Sequence, residues 1–441
     1  MSAVDRTFAL AVAHHQAGRF SEAEACYRLI LALAPDHVST LNNLGLIVPK
    51  DEGIPLFARA LALNPNYADA HINLGNAFKA LGKLEDAIGS YRQAARLNSE
   101  SADTQYTLAL ALFERGYIAE AETAYRRVAQ ILHDQNRGDE EIALYGQMMR
   151  LFPASAFAGT QRALLLVRRQ WGPPPAPAAR QPGDFVSMAT LGRNGRFGNQ
   201  ILQYGFLRTY AHVHGLGWEA PDWIGRDLFG HNDPMISGGL PILHESDADL
   251  IGSLEKTGAN VFVNRDFWGY FAVSTAAYAP YRDFYRSLFN WSEAARRIVE
   301  TAVAQLRARG RTLVALHLRR GDFGYGPFWI APESWYVAWL TEIWADLADP
   351  VLFIATDDPA VVGAFLAFSP LTGTDLPPPP AGVEFLVDFG VLINADVLAI
   401  SNSTFSFTAS MLNTRTRTTV RPCRDRQGVI PYDPWDAQPF I

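Results

Sequence analysis

The chain has 441 residues, a hydrophobic content of 49 %, a charged content of 19 % and a formal net charge of −7. A chain of this length exceeds what one hydrophobic core usually organises, so we expect two or three domains. The acidic balance argues against broad binding to nucleic acid or anionic membranes, because both need a positive field. It is compatible with a local basic pocket.

The first residues, MSAVDRTFALAVAHHQAG, have no basic leader and only a brief apolar run, which fits neither a signal peptide nor a membrane anchor. No other apolar run approaches the roughly 20 residues that a spanning helix needs. The two cysteines, Cys26 and Cys423, lie far apart and form no motif. We therefore expect no disulfide framework, no zinc site and a reducing, cytoplasmic location.

A 34-residue period organises the first part of the chain. The positions Leu74, Gly75, Phe78, Ala87, Tyr91 and Ala94 recur as Leu108, Ala109, Leu112, Ala121, Tyr125 and Val128. The repeat before them is about four residues short, around Pro49 to Gly53. The pattern resembles the tetratricopeptide repeat, a helix-turn-helix unit, and predicts an all-α solenoid over residues 1–170 whose last part, from about residue 139, is a helical cap.

One such unit cannot bury its apolar face alone, so the units must stack. A stacked array offers a concave surface to a protein or peptide partner. The alternative is a scaffold or dimerisation element that has no ligand of its own, through which the chain would form a homo-oligomer. After the array, the sequence WGPPPAPAARQPG cannot continue a helix and predicts a proline-rich, semi-rigid linker over residues 171–184.

Strands alternate with helices in the remaining residues. Residues 185–191 predict a strand, the glycines at 192, 195 and 198 a loop, and residues 199–214 a helix. The free backbone N–H groups at such a helix start can bind an anionic ligand. The spacing of the glycines, however, is not that of the dinucleotide-binding motif.

The same alternation continues to the end of the chain, with a helix at 334–346, a strand at 351–355, a helix at 359–368, a short strand at 383–386, a helix at 388–395, a strand at 397–400 and a helix at 407–412. It predicts a doubly wound parallel sheet whose strand ends share one edge.

Polar residues follow three of these strands, at positions 317–322, 356–358 and 401–406. The stretch VALHLRRGD runs from an apolar strand into a turn with His317, Arg319 and Arg320, an arrangement suited to an anion such as a nucleotide phosphate. The alternative is a surface loop whose arginines are solvated.

Five segments, in order, resemble the successive motifs of the α-1,2-fucosyltransferase family: GRFGNQILQYGF, DFWGYFAVSTAAY, VALHLRRGDF, FIATDDP and ISNSTFSFTASML. The first also resembles the GRFGNQ segment of protein O-fucosyltransferases. Together the segments extend from Gly192 to Asn413.

This resemblance implies an α/β glycosyltransferase with two Rossmann-like lobes (the GT-B fold), with an acceptor-side lobe over residues 185–310 and a donor lobe over 311–441. It further implies GDP-fucose as the donor, inversion at the fucose anomeric carbon, and neither a metal nor another cofactor. Metal independence is chemically consistent with the arginines, since a guanidinium binds phosphate with two parallel hydrogen bonds and keeps its charge.

By the same resemblance, Arg319 would hold the β-phosphate and stabilise the departing GDP, while Arg320 would orient the turn. His317 would contact the nucleotide. Asp357, with its neighbour Asp358, would bind the guanine or ribose side.

The remaining donor-side positions are at two helix starts. Ser403, Thr404 and Phe405 would cradle phosphate with hydroxyls and amides. Gly198 and Asn199 of the glycine loop would lie on the donor side as well.

The general base should be a carboxylate or histidine within reach of the acceptor hydroxyl. Asp322 is the first candidate and Glu333 the second, with a turn-capping carboxylate or a partner of Arg320 as the alternative for Asp322. Trp268 and Tyr270 would stack on an acceptor sugar or else belong to the core.

The sequence departs from the family at Phe407 and Thr408, where a tryptophan pair is usual. Asn402 begins a glycosylation sequence, which we discount in the absence of a secretory signal. A basic run at Arg415, Arg417, Arg421, Arg424 and Arg426 is typical of a solvated strand face.

We therefore expect an inverting fucosyltransferase that acts on a glycan hydroxyl, with an α-1,2 linkage, and whose repeats recruit a protein partner or acceptor. Two alternatives stay open. One is a protein O-fucosyltransferase-like enzyme that modifies Ser or Thr of a protein bound by the repeats, and the other is a non-catalytic repeat adaptor.

Overall fold

The computed structural model describes residues 2–153, 155–193, 195–254, 261–321, 323–324, 326 and 328–439. The chain divides into two compact units, Met1–Pro153 and Ala154–Ile441. Among the described residues, no helix is both long enough and apolar enough to span a membrane.

The first unit is helical. Its helices are α1 (Ala3–Gln16), α2 (Phe20–Leu33), α3 (Val38–Ile47), α4 (Lys50–Leu63), α5 (Ala68–Ala80), α6 (Leu84–Leu97), α7 (Ala102–Arg115), α8 (Ile118–Asp134) and α9 (Gly138–Leu151).

Small residues let paired helices of this unit approach closely. Gly75 of α5 lies against the ring of Tyr91 in α6, and a Cβ at residue 75 would be 2.5 Å from Cε1 of that ring. The equivalent tyrosines of two other repeats, Tyr27 and Tyr125, are also fully buried. The 34-residue period therefore corresponds to helix pairs that bury one aromatic ring against a small residue.

The short repeat is accommodated by a closer helix crossing. Helix α3 has 10 residues, against 13 in α5. Gly53 of α4 lies directly on Gly45 of α3, since a Cβ at residue 53 would be 2.6 Å from the Gly45 carbonyl oxygen. The close contact of these two glycines lets α3 and α4 pack together although α3 is shorter than α5.

The second unit is α/β. Its helices are α10 (Ala156–Trp171), α11 (Phe197–His214), α12 (Ile224–Phe229), α13 (Arg282–Ser287), α14 (Glu293–Arg307), α15 (Glu333–Ile343), α16 (Phe385–Leu392) and α17 (Thr404–Leu412). Short 3-10 helices cover Gly252–Leu254, Ala276–Tyr281, Trp344–Asp346, Pro359–Phe368 and Gly373–Asp375. Its strands are β1 (Phe185–Ser187), β2 (Gly217–Glu219), β3 (Ile242–His244), β4 (Arg265–Trp268), β5 (Thr312–Leu318), β6 (Pro350–Thr356), β7 (Val397–Ala399), β8 (Thr418–Cys423) and β9 (Gly428–Pro431).

These strands form two sheets. The first has the order β2-β1-β4-β3, and all of its pairs are parallel. The second has the order β6-β5-β7-β8-β9, in which only the β8–β9 pair is antiparallel. Strand β5 lies between β6 and β7 and is buried along nearly its whole length, as expected of a strand covered by helices on both faces.

Helix α10 packs within the second unit, although its sequence follows the repeats directly. Leu164 and Val167 belong to the core that contains the first sheet. Arg168 forms ion pairs with Asp222 at 2.6 Å and with Asp227 at 3.0 Å. The proline-rich segment after α10 contains no helix or strand from residue 172 to 184, and Ala178 N donates a hydrogen bond to the Asn232 carbonyl at 2.7 Å.

The short strand predicted at residues 383–386 is wrong, because α16 begins at Phe385. Val383 and Leu386 are both buried. Their three-residue spacing is that of one helical face, and four residues are too few to separate this period from strand alternation.

Candidate functional site

Three chain segments leave the second sheet at the same edge. Strand β5 pairs in parallel with both β6 and β7. Residues 319–321, 357–358 and 400–404 follow these strands, so the polar groups predicted from the sequence are adjacent. This is the edge at which open α/β sheets bind ligands.

Asp357 joins the two arginines at this edge. Its Oδ2 atom lies 2.9 Å from Nη1 of Arg319, and its Oδ1 atom accepts a hydrogen bond from the backbone N–H of Arg320 at 2.8 Å. Gly321 permits this approach, since a Cβ there would be 2.4 Å from Oδ2. The Arg319 side chain is 19 % exposed, so it is held in place while part of it faces solvent.

Arg320 is occupied by protein groups. Its Nε and Nη2 atoms donate to Oε1 of Glu333 at 3.1 and 2.7 Å. Nη2 also donates to the Ala331 carbonyl at 3.1 Å, and Nη1 to the Arg319 carbonyl at 3.0 Å. All three guanidinium nitrogens are engaged, so this residue fixes the turn.

The same contacts bear on Glu333 as a general base. Burial is the largest single effect and disfavours its charged form, but the hydrogen bonds from Arg320, a backbone hydrogen bond and the charge of Arg320 together lower the pKa of the Glu333 carboxyl. A lowered pKa makes it a weaker base than an ordinary glutamate. Asp322, the other predicted base, lies outside the described residues.

His317 is neutral at physiological pH. Burial lowers its pKa to about 4, and the nearby Arg320 charge acts in the same direction while Asp357 opposes it. Its Nδ1 atom is 2.8 Å from the Ser401 hydroxyl, and its ring packs against Phe405 at 5.2 Å between centroids. In the described part of the chain Nε2 has no hydrogen-bond partner, so this nitrogen can form a hydrogen bond with a ligand.

The first residues of α17 and the turn before them lie at one side of this sheet edge. Ser403 caps this helix, and its hydroxyl accepts a hydrogen bond from Phe405 N–H at 3.4 Å. Ser401, Asn402, Ser403 and Thr404 are each buried. Uncompensated N–H groups and the helix dipole favour an anion at such a terminus.

A second helix start lies against the first. A Cβ at Gly198, in the first turn of α11, would be 2.5 Å from Phe405 N and 2.6 Å from the Thr404 carbonyl carbon. Gly198 is therefore a contact between backbones, which no other residue permits without displacement. The side chain of Asn199 lies under the glycine loop, 2.5 Å from where a Cβ on Gly195 would be.

The other predicted positions have local partners. Asp358 caps the 3-10 helix that follows β6, accepting a hydrogen bond from Ala360 N–H at 3.0 Å. Phe407 and Thr408, which stand where the resembling family has tryptophans, are fully buried. The Thr408 hydroxyl donates to the Thr404 carbonyl at 2.8 Å.

Two aromatic residues lie at the end of β4, at the edge of the first sheet: Trp268 is its last residue and Tyr270 follows it. Trp268 is 36 % exposed and Tyr270 40 % exposed, while the next aromatic, Phe271, is fully buried. The Trp268 ring lies 4.8 Å from His244. Exposed, partly supported rings of this kind can stack on a ligand.

Asp388 is a candidate that the sequence did not single out. Burial raises the pKa of its carboxyl to about 7, and within the described residues it has no hydrogen-bond partner. The adjacent residue of α16, Phe389, packs against Phe405 at 5.1 Å. The available signal was a lone carboxylate within the apolar helix FLVDFGVL.

The first unit has a cavity of about 460 Å³ between α7, α8 and α9. Its polar lining includes Tyr106, whose hydroxyl donates to Gln147 Oε1 at 2.9 Å, and the side chain of Arg150. Asp103 and Glu140 contribute negative charge. The cavity thus offers both charge signs and one carboxamide group, that of Gln147, to a partner.

No curated protein matches the chain. A crystal structure of MamA is 22 % identical over 31 % of this chain and 81 % of that chain, with a TM-score of 0.30. A MamA structure from Desulfovibrio magneticus RS-1 is 19 % identical over 30 % and 77 %, with a TM-score of 0.29.

Three models of tetratricopeptide repeats match residues 7–37, 56–89 and 75–116. The first range covers most of the α1–α2 pair that buries Tyr27, and the third contains the buried Tyr91 of α6. Tetratricopeptide repeats are protein-interaction motifs. The first unit therefore carries tetratricopeptide repeats.

Proposed function

We propose that the second unit is an inverting, metal-independent glycosyltransferase of the GT-B type. It transfers fucose from GDP-fucose to a glycan hydroxyl in an α-1,2 linkage. The observation that supports this most is the Arg319–Asp357 pair, which fixes a partly exposed guanidinium at a parallel-sheet edge. The donor diphosphate binds there, between Arg319 and the start of α17.

The charges at this edge support phosphate release without a metal ion. The leaving GDP gains negative charge as the sugar–phosphate bond breaks, and Arg319 together with the α17 dipole stabilises that charge. Neutral His317 adds a hydrogen bond without a counter-charge. Arg320 and Glu333 keep the turn that carries Arg319 in place.

The test is turnover of the purified protein with GDP-fucose, GDP-mannose and UDP-glucose, measured as release of GDP or UDP with and without sugar acceptors. We expect GDP release from GDP-fucose that depends on a glycan acceptor. The proposal would be refuted if the protein neither turned over nor bound any of the three sugar nucleotides.

Arg319→Ala should reduce turnover by at least 1,000-fold, or about 4 kcal/mol of transition-state stabilisation, with the fold preserved by circular dichroism. Arg426→Ala, an exposed arginine in the β8–β9 turn, is the matched control and should behave as wild type. Near-normal turnover of Arg319→Ala would mean that another group holds the phosphate.

We further propose that the repeats recruit the glycan-bearing protein. The mixed charge of the α7–α9 cavity supports a peptide partner. Arg150→Glu should weaken transfer to a protein acceptor and leave transfer to a free sugar unchanged. Equal loss on both acceptors would contradict a recruiting role.

A further inference from the structure

The side chain of Ser401 contacts His317 at the edge of the second sheet. The Ser401 hydroxyl lies 2.8 Å from Nδ1 of His317, and both residues are buried. Among the residues that the structure describes, this hydroxyl has no other hydrogen-bond partner. The two side chains therefore form a pair joined by a single hydrogen bond, and the direction of that bond decides which ring nitrogen carries the hydrogen.

The backbone that carries Ser401 is held on both sides. The N–H of Ile400 donates to the Val420 carbonyl at 2.9 Å, and the Ile400 carbonyl accepts a hydrogen bond from the buried Tyr336 hydroxyl at 3.0 Å. The Ser401 carbonyl accepts a hydrogen bond from Ser403 N–H at 2.9 Å. The Cα of Ser401 is therefore fixed beside the histidine ring, and one side-chain rotamer brings its hydroxyl to Nδ1.

The histidine ring lies next to both groups of the proposed phosphate site. Phe405, in the first turn of α17, packs against it at 5.2 Å between ring centroids. The ring is also close enough to Asp357 to interact with its charge, and Asp357 is the residue that holds Arg319. His317 is therefore adjacent to the helix start on one side and to the arginine's partner on the other.

The tautomer of this ring follows from the hydrogen bonds open to it. Burial lowers the pKa of His317 to about 4, so at neutral pH the ring has a single N–H group. If Nδ1 carried the hydrogen, the buried Ser401 hydroxyl would have no acceptor in the described part of the chain, which is costly, and Nε2 would present a lone pair to a phosphate oxygen. If the hydroxyl donates to Nδ1, the hydrogen is on Nε2, where an anionic oxygen can accept it.

We propose that Ser401 is a positioning residue, whose hydroxyl donates to Nδ1 of His317 and so keeps the hydrogen on Nε2, which donates to the diphosphate of the sugar nucleotide. The inference rests on the proposed glycosyltransferase function and adds how its neutral histidine is oriented towards an anion. No proton is transferred in this contact. Arg319 supplies the positive charge, and His317 stays neutral throughout.

The first experiment is nitrogen NMR of the full-length, ligand-free protein with isotope-labelled histidine rings at neutral pH. The chemical shifts of the two ring nitrogens show which one carries the hydrogen, and His317→Gln identifies the signals of this ring. We expect His317 to carry its hydrogen on Nε2 in wild type and to populate both tautomers in Ser401→Ala. Ser406→Ala is the matched control, since this fully buried serine donates only to backbone carbonyls, and it should keep the wild-type tautomer.

The second experiment measures the Kd for GDP by calorimetry. Ser401→Ala should weaken GDP binding about 10-fold, the loss expected for one hydrogen bond to a charged group. Ser401→Thr keeps a hydroxyl on Cβ, so it should restore the wild-type tautomer and bring the Kd to within about 3-fold of the wild-type value. Ser406→Ala should bind GDP as wild type does.

A wild-type ring that carries its hydrogen on Nδ1 would overturn the proposal. So would a Ser401→Ala variant in which both the tautomer and the Kd for GDP are unchanged. If Ser401→Ala does not fold, as judged by circular dichroism, the wild-type spectrum and Ser401→Thr decide the matter. A wild-type ring with its hydrogen on Nε2, in a protein that binds neither GDP nor a sugar nucleotide, would support the role of Ser401 in fixing the tautomer but refute the diphosphate as its ligand and the underlying function.

Discussion

In the first unit Arg92 and Glu120 form an ion pair at 2.6 Å, yet their side chains are 42 % and 58 % exposed. In the second unit the side chains of the pair between Arg319 and Asp357 are 19 % and 25 % exposed. An exposed pair contributes little to stability, whereas breaking a partly buried pair leaves a charge without compensation. The pair between Arg92 and Glu120 should therefore add little to the stability of the repeats, while the pair between Arg319 and Asp357 holds a charge in place at one sheet edge.

Two glycines, one from each unit, differ in a similar way. Gly89 of α6 has open space where a Cβ would be, whereas Gly198 of α11 touches the backbone of α17. Gly89 can therefore be exchanged, while Gly198 holds two helix starts together. Tolerance of substitution follows the local contact in both units, since Gly75 of the repeats is also in close contact, with the ring of Tyr91.

Asp357→Asn should lower both stability and turnover, because it removes the charge that holds Arg319. We expect a loss of about 3 kcal/mol in the free energy of unfolding, measured with urea, and at least a 100-fold loss in kcat/KM for GDP-fucose. Asp425→Asn, in the exposed β8–β9 turn, should change neither. If Asp357→Asn changed neither the free energy of unfolding nor kcat/KM, the expected difference between the partly buried and the exposed ion pair would be wrong.

Asp388→Asn should change the pH dependence of stability. The pKa of Asp388 is raised to about 7, so its protonation favours the folded state, and this stabilisation is present below pH 3.8 and lost as the pH rises towards 7. Asparagine stays neutral. Relative to wild type, the free energy of unfolding of the variant, measured with urea, should therefore increase by about 4 kcal/mol between pH 4 and pH 8. A difference that is independent of pH would show that Asp388 ionises normally.

Gly198→Ala should destabilise the protein by about 2 kcal/mol and reduce turnover, since the added methyl group separates α11 from α17. Gly89→Ala is the matched control, and it should stabilise by about 0.5 kcal/mol because alanine is the better helix former. Thermal unfolding and GDP release measure both. If Gly198→Ala and Gly89→Ala changed stability and GDP release equally, the distinction between the close contact at Gly198 and the open position of Gly89 would be wrong.

Arg92→Ala should have the smallest effect, about 0.5 kcal/mol or less, because its partner Glu120 is exposed and remains solvated. Urea unfolding at low and high salt measures it. A loss above 1 kcal/mol would mean that surface charge contributes to the repeat unit more than its exposure indicates.

Periodic and local patterns predicted much of this molecule. The 34-residue spacing of Tyr91 and Tyr125 predicts paired helices, and the matches to repeat models confirm the repeats. The apolar runs that end at His317 and Thr356 predict adjacent parallel strands, because hydrophobic alternation is local and parallel strand ends share an edge.

What the sequence did not predict depends on contacts between distant residues. The engagement of Arg320 by Glu333 needs a turn that returns the chain after 13 residues. The separation of α10 from the repeats follows from its pairing with Asp222 and Asp227, more than 50 residues away. Ser401 lies in a polar turn that the sequence predicts, but only the fold brings its hydroxyl to His317, 84 residues earlier.

The backbone contact at Gly198 is reinforced by side chains, and this has a mechanical consequence. Phe197 packs on Phe385 at 4.5 Å between ring centroids, and Nε of Arg286 donates to the Met411 carbonyl at 2.9 Å. Contacts at several points resist tilting as well as sliding, because a packed core transmits strain and does not deform easily. We therefore expect the spacing between the two sheets of the second unit to be set before any ligand binds.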